Sequence, residues 1–349
     1  MKVVVAPDSY KECLTAQEVA AAIATGVRRM YPEAEVIEKP LADGGEGTLS
    51  VLAPAMGAKV LRVSVSDPFR RPVEAAFGVA GDTGIIEIAQ ACGMGLLVPS
   101  ERNPLLASTY GVGELIMAAY DAGCRKYIIG LGGSATCDGG VGMLSVPGIK
   151  EVLANCSFEL LCDVTAPFIG PTGAAKVFAP QKGASEEDVE ILEARMCALA
   201  SQMKNETGVD VSDAPGAGAA GGLGGAFMAY SGAKMVSGID RVMDLVGLDE
   251  AVRGAGLVIT GEGRFDAQTM SGKVPYGVLR RCSPVRVAVV AGSVDWDCSE
   301  LRKIGFGEIT EVSNAHNLEE AMKPENAKAN IIRAVDGMLS GMKALKIKI

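Results

Sequence analysis

The chain opens on a short apolar run, Val3 to Ala6, and passes at once into the polar loop Pro7-Asp8-Ser9-Tyr10-Lys11. So short a run without alternation fits a strand buried on both faces. Thr15, with Glu18 three residues on, has the form of a capping box, so a helix starts there. Pro32 ends it, because proline disfavours helix at the residue before it, Tyr31. Val36-Ile37 predicts a second strand, which leads to the loop Ala42-Asp43-Gly44-Gly45-Glu46-Gly47-Thr48. From about Lys59 to Ala89 the pattern changes. Val60 to Val65 and Val73 to Val79 partly alternate, Gly84 to Ile88 is a third apolar run, and Pro68 and Gly81-Asp82 punctuate them. That is a β-meander signature.

Beyond it the rhythm becomes helix, strand, glycine loop. Val112 to Ala122 reads as helix and Tyr127 to Gly130 as a buried strand, with Gly132-Gly133-Ser134-Ala135-Thr136 directly after it. Phe158 to Leu161, Leu257 to Thr260 and Val287 to Val290 repeat the strand-then-loop arrangement. Strands that alternate with helices predict an α/β fold with parallel sheets flanked by helices. Ligands in such sheets bind beyond the carboxyl ends of the strands. The loops after Ala6, Gly130, Leu161 and Thr260 therefore hold the candidate chemistry.

Composition refines this picture. At 349 residues the chain is long for one core, so two domains are expected. It is 48% hydrophobic and 21% charged, a globular balance rather than a disordered one. Its net charge of −9 argues against a nucleic-acid partner, which would need a basic face. An anionic small molecule in a local basic pocket stays compatible. The nine cysteines contain no CxxC pair and read as reduced, mostly buried thiols. A zinc site is not expected, because His316 is the only histidine. His316 reads as a surface or loop residue. Neither a signal peptide nor a membrane-length apolar run is visible, so a cytoplasmic location is expected, with no membrane partner. Oligomeric state is left open.

Several loops combine glycine with acidic, hydroxyl or basic residues: Asp8 to Lys11, Asp43 to Glu46, Gly132 to Gly140, Cys162-Asp163-Val164-Thr165, Gln181-Lys182-Gly183, Gly261 to Asp266, and Gly272-Lys273. Phosphoryl transfer needs N–H groups around phosphate oxygens, cations on the developing charge, and carboxylates for Mg²⁺. The plain alternative for each loop is that its acidic residues cap helices and its glycines permit turns. Gly216 to Gly224 contains a literal GxGxxG, but Ser212-Asp213-Ala214-Pro215 rather than a strand precedes it. A dinucleotide-binding reading fails there, and a glycine-rich helix start lying against a ligand or a neighbouring helix is expected instead. GxxxxGK[ST], HRD, DFG and GxSxG are all absent.

Taken together these loops resemble the type I bacterial glycerate kinases. The segments that carry the resemblance are Ala6 to Lys11, Ala42 to Thr48, Gly130 to Thr136, Phe178-Ala179-Pro180-Gln181-Lys182-Gly183-Ala184, Gly216 to Gly224, and Gly261 to Asp266 continuing to Pro275. They follow the family's order and span nearly the whole chain. The resemblance implies ATP and Mg²⁺, D-glycerate as acceptor, and usually 2-phosphoglycerate as product. It also implies one α/β domain built from both chain ends, 1–62 with 286–349, and one inserted, 63–285, with the meander opening the insert and a site between the two. Cys137 stands where the family usually has asparagine, Cys13 replaces a small polar residue, and Ala166 stands where asparagine is common. The stretch from Leu144 to Ser157 is short for the family, which leaves open a natural deletion or a missing loop, and a mobile loop there would suit an active-site lid.

On chemical grounds Arg264 offers a planar fork for a carboxylate or phosphate, and Lys11, Lys182 and Lys273 are candidate phosphate clamps. Asp43 or Asp266 would accept the proton of the attacking hydroxyl, with Arg264 and Lys182 completing the catalytic set. Asp8, Ser9, Lys11, Glu46, Arg264 and Lys273 would bind the acid. The amides of Gly132, Gly133, Ser134 and Thr136, and of Gly218, Gly221 and Gly222, would face the triphosphate. Asp138 and Asp163 are the magnesium candidates. Two other readings stay open: a kinase for another small hydroxy acid, and a non-catalytic nucleotide- or metabolite-binding regulator on the same scaffold.

Overall fold

The structure, a computed structural model, describes residues 1–312 and 318–345, apart from the side chains at 268, 271 and 318. His316 lies outside the described residues. In chain order the strands are β1 (Lys2–Val5), β2 (Glu35–Glu38), β3 (Lys59–Ser66), β4 (Pro72–Ala80), β5 (Thr83–Glu87), β6 (Lys126–Gly130), β7 (Ser157–Leu161), β8 (Lys234–Val236), β9 (Leu257–Thr260), β10 (Arg264–Phe265), β11 (Arg286–Ala291), β12 (Ser293–Val294) and β13 (Ile309–Glu311). They form two compact units, Met1–Asp43 with Ile239–Ile349, and Gly44–Gly238. One unit is therefore built from both chain ends and the other is inserted.

The first unit carries a parallel sheet in the order β13-β11-β9-β1-β2. Val3, Val4 and Val5 have no exposed surface, as a strand covered on both faces requires. The helix Ala16–Met30 begins as the sequence predicts, with Thr15 and Glu18 making both halves of the capping box. Its buried stripe of Val19, Ala20, Ile23 and Val27 recurs at helical spacing and packs with Ile331, Val335 and Leu339 of the helix Pro324–Ala344. Gly26 makes the approach of these helices possible, since a Cβ there would lie 2.8 Å from the Val335 side chain.

The second unit carries the sheet β3-β4-β5-β6-β7-β8. The predicted meander is present, with β3, β4 and β5 antiparallel and the sheet continuing in parallel from β5 to β8. Tyr127 stacks on Phe158 with ring centroids 4.6 Å apart, and Phe158 meets Phe227 of the helix Leu223–Ser231 at 5.5 Å.

The observed divisions, at 43/44 and 238/239, replace the expected ones at 62/63 and 285/286. Two pairings explain the shift. Strand β9 hydrogen-bonds to both β1 and β11, so the chain has returned to the first sheet well before residue 286. The helix Thr48–Ala55 belongs with the insert, because the amide of Leu49 donates to the buried carboxylate of Glu87 at the end of β5. The stretch that is short for the family holds a short helix, Ile149–Asn155, directly before β7. All nine cysteines are free thiols, but only Cys92, Cys124, Cys137 and Cys282 are fully buried, fewer than expected. No described helix is long and apolar enough to cross a membrane.

Candidate active site

Strand order places the site of the first unit. From β1 the chain goes to β2 on one side, while β9, the next strand of this sheet in sequence, lies on the other. Connections diverge at that point, and the loops leaving the carboxyl ends of β1 and β9 line a crevice. Backbone bonds join the two loops: Ala6 N–H to the Ile259 carbonyl and Asp8 N–H to the Gly261 carbonyl, each 2.8 Å. Thr260 Oγ1 donates to the Ala6 carbonyl at 2.8 Å, and Tyr10 donates its hydroxyl to the Val290 carbonyl at 2.8 Å.

A cavity of about 320 Å³ opens there. Its polar wall holds Asp8, Ser9, Lys11, Asp43, Glu262, Arg264, Lys273 and Ser293. Its apolar wall holds Val312, Ala321, Met322 and Ala327, with Cys13 and Asn330 beside them. Six residues predicted from separate segments therefore meet around one space: Asp8, Ser9, Lys11, Asp43, Arg264 and Lys273. Asp266 stands just behind this wall, with its carboxylate 3.6 Å from the Lys273 ammonium and 3.7 Å from Arg264. The guanidinium of Arg264 is largely exposed and rests on Asp295, with both Nε and Nη2 at 2.7 Å from Oδ2. The fork is engaged, and an incoming anion would have to compete with Asp295.

Two carboxyls on the wall are strongly perturbed. Asp8 is 6% exposed. Burial, reinforced by the charge of Asp43, raises its pKa to about 8, against the pull of the Ser9 N–H on Oδ1 and of Lys11. Glu262 is 5% exposed, and burial raises it to about 7. The Thr269 hydroxyl and the Lys273 ammonium hold it down in part. Near neutrality these groups exchange protons readily, which suits acid–base work on a hydroxyl.

In the second unit Gly132, Gly133, Ser134, Thr136 and Lys182 come together at the loop after β6. Gly133 lies exposed at its turn with φ +77°, a left-handed conformation that favours glycine. Gly132 lies so near the preceding glycine loop that a Cβ would be 2.5 Å from Gly45 Cα. Lys182 is buried beneath the loop, and its Nζ donates to Ser134 Oγ at 2.8 Å and to the Thr136 carbonyl at 2.6 Å. Burial pushes its pKa below the ordinary lysine range, while Cys137, Cys92 and Asp138 oppose that shift. The predicted phosphate clamp thus holds the loop's own shape.

Two further expectations need correction. Asp138 accepts four hydrogen bonds: Oδ2 from Thr109 N–H, Thr109 Oγ1 and Gly142 N–H, and Oδ1 from Gly140 N–H, at 2.8 to 3.1 Å. A carboxylate so occupied ties a loop together and does not fit a magnesium ligand. Asp163 follows β7 and is half-buried. No group of three His, Cys, Asp or Glu side chains among the described residues could cage a metal. The other correction concerns Gly218, Gly221 and Gly222, which are buried. Gly218 N–H donates to the Ala166 carbonyl at 3.0 Å and Gly222 N–H to the Gly218 and Ala219 carbonyls at 3.2 Å. A Cβ at Gly221 would lie 2.1 Å from the Thr136 carbonyl oxygen. This run packs backbone against backbone, and the amides of Gly218 and Gly222 are spent within the protein rather than on a triphosphate. Glu46 is exposed on the second unit.

Glu262, Tyr10, Thr269 and Asn330 escaped the sequence reading. Glu262 lies inside a loop already singled out, yet nothing in its spacing separates it from Arg264 or Asp266. Thr269 is visible only through its contact with Glu262, 2.5 Å away.

Comparison with known proteins places the chain in context. A family model described as the Glycerate kinase family matches residues 3–152 and 144–343. The glycerate 2-kinase of Escherichia coli strain K12 is 39% identical over 367 residues, covering 96% of each chain. The glycerate kinase of Bacillus subtilis strain 168 is 40% identical, covering 93% of each. A crystal structure named for glycerate kinase 2 from Salmonella typhimurium LT2 is similar with a TM-score of 0.85 at 38% identity, covering 99% of each chain.

Proposed function

Since this chain belongs to the glycerate kinase family, we propose that it transfers a phosphoryl group from ATP to D-glycerate, giving 2-phosphoglycerate, with the cavity of the first unit as the acid's site. One observation carries this reading. Asp8, Asp43 and Glu262 meet Lys11, Lys273 and Arg264 around a single space at the sheet's topological switch point. A three-carbon acid needs a cation for its carboxylate and polar groups for its two hydroxyls, and this wall supplies both.

In this reading Lys11 and Lys273 hold the carboxylate, with Arg264 joining when an anion displaces Asp295. A wall carboxylate takes the proton of the attacking hydroxyl. The exposed turn at Gly133, braced by Lys182 through Ser134 and Thr136, suits phosphate oxygens of the nucleotide. Magnesium, when bound with the nucleotide, would neutralise phosphate charge, and Asp163 is the remaining candidate of the predicted pair to hold it. A cytoplasmic location is part of the proposal.

The cavity exceeds what a three-carbon acid fills, so a second reading, a kinase for a larger hydroxy acid, also has support. Phosphorus NMR after incubation with ATP, Mg²⁺ and D-glycerate tests the first. The expected spectrum contains 2-phosphoglycerate and ADP. No turnover of D-glycerate alongside turnover of the four-carbon acid erythronate would replace it with the second. A 3-phosphate resonance would overturn the product assignment, and binding of both ligands without turnover would favour a regulator.

A further inference from the structure

Thr269 lies in the one-turn helix Ala267–Ser271 and has no exposed surface. Its hydroxyl oxygen accepts the N–H of Asp266 at 3.1 Å. An N–H can only donate, so the hydroxyl's single hydrogen is left for Glu262 Oε1, 2.5 Å away. Oε1 is therefore committed as an acceptor, and any proton on this carboxyl belongs on Oε2. That oxygen is 3.6 Å from the Lys273 ammonium, too far for a formed hydrogen bond.

We propose that Glu262 Oε2 is the atom that takes the proton from the attacking hydroxyl of the acid, and that Thr269 positions it by holding Oε1. This rests on the reading of the cavity as a hydroxy-acid kinase site. In the step, the substrate O–H bond breaks and its proton goes to Oε2. The freed electron pair forms the new bond to the γ-phosphorus, while the bond to the bridging oxygen breaks and its pair leaves with ADP. The proton then passes to solvent.

Two neighbouring carboxylates, Asp266 and Asp8, are placed less well for this task. Asp266 is not part of the cavity wall and faces Lys273 and Arg264. Asp8 has Oδ1 in a turn contact with the next residue's amide and stands against the charge of Asp43. The ionisable groups facing Glu262 are Lys273 at the start of the helix Val274–Cys282, Asp266 on the same segment, and Asp8 and Tyr10 from the loop after β1. The elevation caused by burial puts this carboxyl in the range where a base works at neutral pH.

The test is the pH profile of kcat/KM for D-glycerate with MgATP in the full chain. Thr269→Val removes a donor to the charged carboxylate, so the acidic limb should move to higher pH and kcat should fall about tenfold, while Thr269→Ser restores both. Glu262→Gln should lose the acidic limb and at least about 100-fold in kcat, whereas Asp8→Asn and Asp43→Asn keep the limb. The assignment is overturned if Thr269→Val lowers only the melting temperature, if Glu262→Gln keeps more than about a tenth of kcat against the hundredfold loss expected of a missing base, or if the limb vanishes in Asp8→Asn and persists in Glu262→Gln. A wild-type chain that turns over no hydroxy acid overturns the underlying reading, and this assignment falls with it.

Discussion

Tyr10 ties the loop after β1 to strand β11 through one buried hydrogen bond, from its hydroxyl to the Val290 carbonyl. Tyr10→Phe leaves that carbonyl without its donor, a loss of about 1–3 kcal/mol. Urea denaturation should show a lower midpoint with an unchanged slope, and an unchanged midpoint would mean that water replaces the hydroxyl. Asp8 and Glu262 make a different residue-scale prediction. Both have folded-state pKa values, about 8 and about 7, above their ordinary values of 3.8 and 4.5. The folded protein therefore holds more protons than the unfolded chain between about pH 4 and 8, and stability falls as pH rises through that window. Their contribution is fully present below the ordinary values and is lost above the raised ones. Asp8→Asn should flatten the decline in unfolding free energy between pH 5 and pH 8, and an equally steep decline in the variant would remove Asp8 as a source.

At the scale of elements, close approaches replace side chains at several points. Gly26 lets the helices Ala16–Met30 and Pro324–Ala344 touch, so Gly26→Val should overpack that contact and cost about 1–3 kcal/mol, read as a lower melting temperature. Gly221→Ala would drive a methyl group into the Thr136 carbonyl and should disturb the loop that Lys182 braces. Reduced nucleotide affinity with D-glycerate affinity preserved is the expected result in calorimetry. Loss of the acid's affinity alone would contradict the assignment of that loop. These elements also show what a reader of the sequence can and cannot see. The capping box at Thr15, the meander and the apolar runs were legible because local periodicity and capping chemistry determine them. The buried packing of Gly218 to Gly222 was not, because a glycine run that serves a ligand and one that serves a neighbouring backbone have the same composition. Asp138 was misread for a similar reason: its four donors come from Thr109, Gly140 and Gly142, and spacing does not reveal the contact with Thr109.

At the scale of the molecule, sequence order hides the pairing of β9 between β1 and β11, and this pairing moved the expected boundaries. Periodicity identifies a strand but does not say which sheet it joins. The same pairing creates the switch point where Asp8, Lys11, Asp43, Glu262 and Lys273 meet, so their convergence was expected from resemblance and became visible as geometry only once topology was known. The central claim is that this cavity receives the hydroxy acid. A crystal structure of the protein with D-glycerate tests it most directly. The acid's carboxylate should lie within hydrogen-bonding distance of Lys11 or Lys273, with one hydroxyl facing Glu262. Density for the acid elsewhere, with this cavity holding only water, would contradict it.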